Sequence, residues 1–257
     1  MYWRIAIASA LLVLAGTPAR ADFGSCLLEL QGKARERGLG SRVTEEIIPA
    51  LTEQRRVVEL DRQQPEFVQT FERYLSARVT ADRVSRGRQL YRENREFLDR
   101  LTARYGIPGQ YLVAFWGLET NFGSYLGKVP TLDALATLAC DTRRSAFFTD
   151  ELLTALTLVE RDGLEPARMR GSWAGAMGHT QFMPSTYARA AVDGDGDTRI
   201  DLWESPRDAL ASGARFLQQL GWQPGLRWGR EVALPEPFDY ALAGLKARRP
   251  LADWAAL

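Results

Sequence analysis

A mainly α fold is predicted by three observations. Apolar residues recur at three- and four-residue spacing through most of the chain. The breaks between those stretches carry Gly, Pro and Asn in the order that ends one helix and starts the next. Alternation of apolar and polar residues is scarce, and Glu231-Val232-Ala233-Leu234 is the one short candidate strand. The composition agrees. The 257 residues are 46% apolar and 25% charged, as in ordinary folded proteins, and can build one large domain or two small ones.

Residues 1–21 read as a secretory signal: Arg4 supplies the positive start, Ile5 to Gly16 the apolar stretch, and Ala19-Arg20-Ala21 a small-residue cleavage site. A dozen apolar residues cannot span about 30 Å of hydrocarbon, and no other stretch is longer. Cys26 lies too far from the apolar run for a lipoprotein signal, so a soluble exported protein is expected. Cleavage after Ala21 removes two arginines and no acid, which turns the net charge from +1 to −1. Export means oxidising surroundings, where Cys26 and Cys140 allow a single intramolecular bridge; two separate buried thiols are the alternative.

The helices follow in order. Cys26-Leu27-Leu28 with Leu30 opens one amphipathic stretch, Ile47-Ile48 and Leu51 lie in another, and Phe67, Phe71, Tyr74 and Leu75 in a third. Arg83 to Tyr105 is highly charged, with Leu90, Phe97 and Leu101 on one face and a solvated face opposite. Gly106-Ile107-Pro108 breaks the pattern. Pro108 suits the first turn of a helix whose body is Tyr111 to Glu119 and whose end is Asn121-Phe122-Gly123. Further helices are predicted at Thr131–Leu138, Ala146–Glu160 and Ser205–Leu220. A helical N-terminal part of about 22–105 and a core of about 106–257 result.

Charge and residue counts exclude several functions. The 33 basic residues nearly equal the 32 acidic ones, which argues against a nucleic-acid binder. The single histidine, His179, excludes a multi-histidine metal centre, and two cysteines exclude a four-thiolate one.

Glu119 stands out. It falls in the last turn of its helix, where the dipole disfavours an anion, with Phe115 and Trp116 four and three residues earlier as an aromatic wall. Both effects push its pKa upward, as a proton donor near neutral pH requires; a glutamate at a frayed helix end is the bland alternative. The Gly171–Ser185 segment holds three glycines in its first eight positions, which permits close backbone approach to a ligand. Ser172 and Gln181 offer hydrogen bonds there, and Trp173, Phe182 and Met183 offer apolar walls; a tight turn between helices is the alternative. Finally, Asp193, Asp195, Asp197, Asp201 and Glu204 occupy positions 1, 3, 5, 9 and 12 of an EF-hand-like loop. Thr198 replaces the usual glycine at the sharp turn, and an Asx-rich turn without a cation is the alternative.

The WGLETNFG run ending at Gly123, the Asp141-Thr142-Arg143-Arg144 run, the GSWAGAMGHTQFMPSTY run from Gly171 and the acidic loop occur in an order that resembles the membrane-bound lytic transglycosylase B family. The resemblance covers the chain from about residue 26 to its end. It implies a lysozyme-like α fold, a periplasmic location and non-hydrolytic cleavage of peptidoglycan. Glu119 is then the sole acid/base, because no second carboxylate stands in the motifs and the substrate's N-acetyl group replaces it. Ser172 matches the residue that orients that group, Gln181 one that lines the cleft, and Arg143 and Arg144 a pair that contacts the stem peptide. A structural Ca2+ is implied on Asp193, Asp195, Asp197, the Arg199 carbonyl and Asp208, with Glu204 as the rival closing ligand. His179 stands where the family has an uncharged polar or aromatic residue, and no catalytic role is assigned to it.

A monomer acting on glycan strands, alongside other cell-wall enzymes, is expected. A hydrolytic muramidase and a non-catalytic peptidoglycan-binding scaffold are the competing readings. The family continues past a segment like Pro250–Trp254 into a stretch with a Tyr-Asn element near the sugar site. The sequence stops at Leu257, so a catalytic domain lacking that last segment is expected.

Overall fold

The helical periodicity becomes eleven α-helices among the described residues of the computed structural model, which are 23–63, 69–227, 229, 231–244 and 247–257. The signal sequence expected at residues 1–21, and Phe67, lie outside them. Helix α1 (Phe23–Glu36) buries Leu27, Leu30 and Ala34. A π-helical turn over Arg42–Ile47 and a 3-10 turn over Ile48–Ala50 follow, where Pro49 interrupts regular helix and Ile48 is fully buried. Helix α2 is Arg55–Gln63.

Helices α3 (Phe71–Arg78) and α4 (Ala81–Glu93) start on threonine caps: Thr70 Oγ1 accepts from Arg73 N and Thr80 Oγ1 from Arg83 N. The apolar face predicted at Phe71, Tyr74 and Leu75 forms a helix but stays exposed. The charged stretch at 83–105 is two helices rather than one. Asn94 ends α4 and its amide Nδ2 donates to the Leu90 carbonyl, after which α5 (Arg95–Tyr105) begins. Gly106, at φ 76°, stops α5.

Helix α6 (Gly109–Thr120) starts directly after Pro108, and α7 (Thr131–Ala139), α8 (Ser145–Asp162), α9 (Pro184–Ala190) and α10 (Pro206–Gln219) complete the main body. The start of α9 is held by Glu151 of α8, whose carboxylate accepts from Ser185 N and Oγ. Glu231-Val232-Ala233-Leu234 pairs with no strand: an isolated four-residue alternation has no neighbour to satisfy its backbone. Instead β1 (Val129–Pro130) and β2 (Arg170–Gly171) form a small antiparallel ladder, too short for any alternation to announce it.

Two apolar clusters hold the body. Leu30, Ile48, Leu135, Leu138, Phe148, Leu152, Leu156 and Met177 centre the first, around α7 and α8. Leu98, Leu101, Ile107, Leu112, Trp116 and Leu210 centre the second, where α4, α5, α6 and α10 meet. Each fully buried leucine contributes about 1.5–3 kcal/mol. Most of α6 belongs to the second cluster, with Phe115 packed against the first, to which Met177 and Phe182 of the glycine-rich segment belong. The candidate site therefore lies where the two cores meet.

Cys26 of α1 and Cys140 at the end of α7 form a disulfide with their Cα atoms 5.9 Å apart, which decides between the two readings of the cysteines. The chain divides into two compact units, Met1–Trp222 and Gln223–Leu257. In the second, Asp239 caps a 3-10 turn at Tyr240–Leu242, and α11 spans Leu251–Ala255.

Candidate active site

Glu119 sits in the last turn of α6, as predicted. The helix is closed by consecutive residues at positive φ, namely Asn121 (50°), Phe122 (60°) and Gly123 (79°). Asn121 N donates to Gly117 O and Phe122 N to Trp116 O, so the chain turns sharply back beside the glutamate. Asn121 is held in turn: its Oδ1 accepts from Arg83 Nε and its Nδ2 donates to Ser124 Oγ. A non-glycine pair in this conformation costs about 1–3 kcal/mol per residue, and such strain collects where a side chain must be aimed.

The Glu119 side chain reaches solvent but stands in a confined position. Burial pushes its carboxyl pKa up, and the Arg78 guanidinium pulls the other way without forming an ion pair with it. Among the described residues its carboxylate takes no hydrogen bond. The aromatic wall, however, faces elsewhere. Trp116 is buried against Phe122 and His179, and Phe115 stacks on Phe216.

The glycine-rich segment is a chain of turns. Gly171 pairs with Val129 and also bridges to Met177, which bridges to Phe182. A side chain on Gly171 would put its Cβ 1.9 Å from the Ala176 carbonyl oxygen, so the small residue serves backbone against backbone, not backbone against ligand. Phe182 is likewise core, packed on Phe216 with ring centres 5.2 Å apart, and is no wall of a sugar site. Trp173 and Met183 are half-buried.

Ser172 Oγ accepts from Ala174 N and Ala176 N, which leaves its own hydroxyl proton to donate outward. Gln181, at φ 49°, spends both amide protons on the carbonyls of Leu126 (3.1 Å) and Gly178 (2.9 Å), so its Oε1 is an acceptor. Thr120 Oγ1 donates to the His179 carbonyl at 2.9 Å. This bond and the Gln181–Leu126 bond place the segment of Ser172 and Gln181 against the end of α6. His179, given no catalytic role from the sequence, is buried between them.

Arg143 and Arg144, at the start of α8, are brought together on one partner. Both guanidiniums grip the carboxylate of Asp61 in α2, which is 3% exposed. Asp61 carried no signal in the sequence because its partners lie some eighty residues on. The arginines remain partly exposed at 41% and 37%, so each keeps N–H groups toward solvent.

Asp193, Asp195 and Asp197 offer oxygens within 4.8 Å of one another. Asp193 accepts from Gly196 N and Thr198 N, and these bonds hold its carboxyl below the ordinary carboxylate range. Thr198 makes the sharp turn itself at φ 72°, strained for a β-branched residue. Asp208 is buried just behind the three: one oxygen accepts from Gly194 N and the other from Asp201 N, both at 2.8 Å. Glu204 stands away from the cluster, exposed and 3.8 Å from Arg168. Three carboxylates form an all-oxygen set, which suits a hard divalent cation.

The chain matches the family model described as the Transglycosylase SLT domain over residues 22–257. It is 37% identical to the membrane-bound lytic murein transglycosylase B of Escherichia coli K12, over 70% of this chain and 54% of that protein. Its fold matches SltB3 from Pseudomonas aeruginosa, solved in complex with NAG-NAM-pentapeptide, with a TM-score of 0.85 and 39% identity over 92% of this chain and 63% of that one. It also matches the Escherichia coli lytic transglycosylase Slt35, solved in complex with calcium, with a TM-score of 0.72 and 34% identity over 79% and 65%. The chain thus spans about half the length of the curated relative and under two thirds of these structures. The shared architecture is the mainly helical, lysozyme-like transglycosylase fold. No helix among the described residues is long and apolar enough to cross a membrane.

Proposed function

Because the chain belongs to the SLT-domain transglycosylase family, we propose that it cleaves the β-1,4 bond between N-acetylmuramic acid and N-acetylglucosamine in peptidoglycan, leaving 1,6-anhydro ends. The observation that carries the reading is Glu119: a carboxyl whose pKa burial raises, with no salt bridge among the described residues, at the end of the helix against which the segment of Ser172 and Gln181 is bonded through the His179 carbonyl.

In the first half of the reaction Glu119 gives its proton to the bridging oxygen. The bond from C1 to that oxygen breaks, and its electron pair leaves with the glucosamine 4-hydroxyl. The acetamido oxygen of the muramoyl unit shares a lone pair with C1 as positive charge develops there. Ser172 donates its hydroxyl proton to the N-acetyl group and fixes its angle, and Gln181 Oε1 accepts from the sugar. In the second half the Glu119 carboxylate removes the proton of the 6-hydroxyl, O6 bonds to C1 as the acetamido oxygen takes its lone pair back, and the acid is restored without water. Arg143 and Arg144, oriented by Asp61, offer their outer N–H groups to carboxylates of the stem peptide.

Asp193, Asp195, Asp197, the Arg199 carbonyl and Asp208 would hold a Ca2+ ion, which ties the loop to α10 and takes no part in the chemistry. The enzyme acts in the periplasm as a monomer, exported by residues 1–21. Digestion of purified peptidoglycan tests the reading: wild type should release anhydro-muropeptides and Glu119→Gln none. Reducing muramic ends would instead support a hydrolytic muramidase, and binding without release a non-catalytic scaffold.

A further inference from the structure

His179 is where three segments meet. Its Nδ1 accepts from the Trp116 indole N–H at 2.9 Å, its carbonyl accepts from Thr120 Oγ1 at 2.9 Å, and its own N–H donates to Leu202 O at 2.8 Å. Trp116 and Thr120 flank Glu119 on α6, residue 179 belongs to the segment of Ser172 and Gln181, and Leu202 lies in the last part of the acidic loop. The imidazole also fills the hollow of the helix cap. A Cβ on Gly123 would lie 2.0 Å from His179 Cε1, so only glycine admits the ring there.

The chemistry of the central bond is fixed by its donor. An indole N–H can only donate, so Nδ1 must carry a lone pair, and the ring's proton sits on Nε2. A second proton would set N–H against N–H. Burial favours the required state, since it pulls the imidazole pKa down, against the opposing pull of Glu204, the Trp203 backbone and Asp201.

We propose that His179 is a positioning residue: as a neutral imidazole accepting from Trp116, it locks the last turn of α6 against the glycine-rich segment and so fixes where Glu119 stands relative to Ser172 and Gln181. The role extends the reading of Glu119 as the reacting acid, and it acts through Trp116 and Thr120 rather than on substrate. A slackened helix end lets Glu119 drift and hydrate, which lowers the reaction rate while leaving the rest of the cleft to bind glycan.

Three substitutions test this. His179→Leu keeps bulk and removes the acceptor, His179→Asn puts Oδ1 near the place of Nδ1, and His179→Gln moves the acceptor out toward Nε2. Two NMR signals read the geometry without any activity: the Trp116 indole N–H, and the Glu119 carboxyl carbon followed against pH. In His179→Leu and His179→Gln the indole signal should move upfield and exchange faster, and the Glu119 midpoint should fall toward its ordinary value. On peptidoglycan, kcat should drop about tenfold or more with KM within about twofold, and His179→Asn should recover most of it. Should His179→Leu not fold, the contrast of Gln with Asn carries the same test.

A folded Leu or Gln variant with the wild-type Glu119 titration would overturn the proposal. So would one with wild-type kcat. If wild type itself releases no anhydro ends, the lyase reading fails alone, and the Glu119 titration still decides the role of His179.

Discussion

At the scale of single residues, the role proposed for Glu119 sets the pH dependence to expect. Its folded pKa is raised by burial, so the acid needed for protonating the leaving oxygen persists above the usual carboxylate range. The alkaline limb of kcat should follow that titration, with activity lost as pH rises through the raised value. Stability carries the same sign. The folded state holds the proton more tightly than the unfolded one, so the stability tied to protonated Glu119 is present at low pH and lost as pH rises through the folded pKa. Glu119→Gln removes that loss, and its Tm advantage over wild type should grow from the ordinary carboxylate pKa upward; an advantage flat with pH would contradict the assigned cause. The position of Glu119 in the last turn of α6 and the upward direction of its pKa were legible in the sequence, because both depend on a short run. The roles of His179 and Asp61 were not. Each depends on a partner far along the chain, Trp116 in one case and the Arg143–Arg144 pair in the other.

At the scale of elements, helix ends were the most legible feature. Gly106, Pro108 and Asn121-Phe122-Gly123 act where the sequence puts them, since positive φ and a missing N–H are properties of single residues. The paired strands were invisible, because β1 and β2 are two residues each and are made by contact rather than by pattern. The glycine-rich segment misled for a related reason: glycine spacing shows that something comes close, not whether it is ligand or backbone. The acidic loop supports a sharper test. Thr198 at φ 72° pays for the turn that glycine makes freely, so Thr198→Gly should gain about 1 kcal/mol in urea unfolding, strain relief outweighing the added freedom of the unfolded chain. With Ca2+ present the Tm should rise, and chelator should return it; an equal midpoint in both would mean the three aspartates hold no ion.

At the scale of the whole molecule, the two cores and the disulfide set the rigidity of the site. The bridge closes a span of 114 residues between α1 and the end of α7. Opening it with Cys26→Ser and Cys140→Ser together should cost about 3–5 kcal/mol, by the loop-closure argument. It ties only into the first core, so the chemistry should survive in whatever fraction stays folded. The sequence made the helical class plain, because helix periodicity is written in each segment. It could not show that α6 spans both cores while the glycine-rich segment joins the first, because that follows from which apolar faces meet.

In the proposed reaction one carboxyl group acts twice without water. Mass analysis of soluble products from purified peptidoglycan, digested by wild type and by Glu119→Gln side by side, tests this most directly. Anhydro-muramoyl ends from wild type and none from the variant are expected. Reducing ends from wild type, or equal release by both proteins, would contradict it.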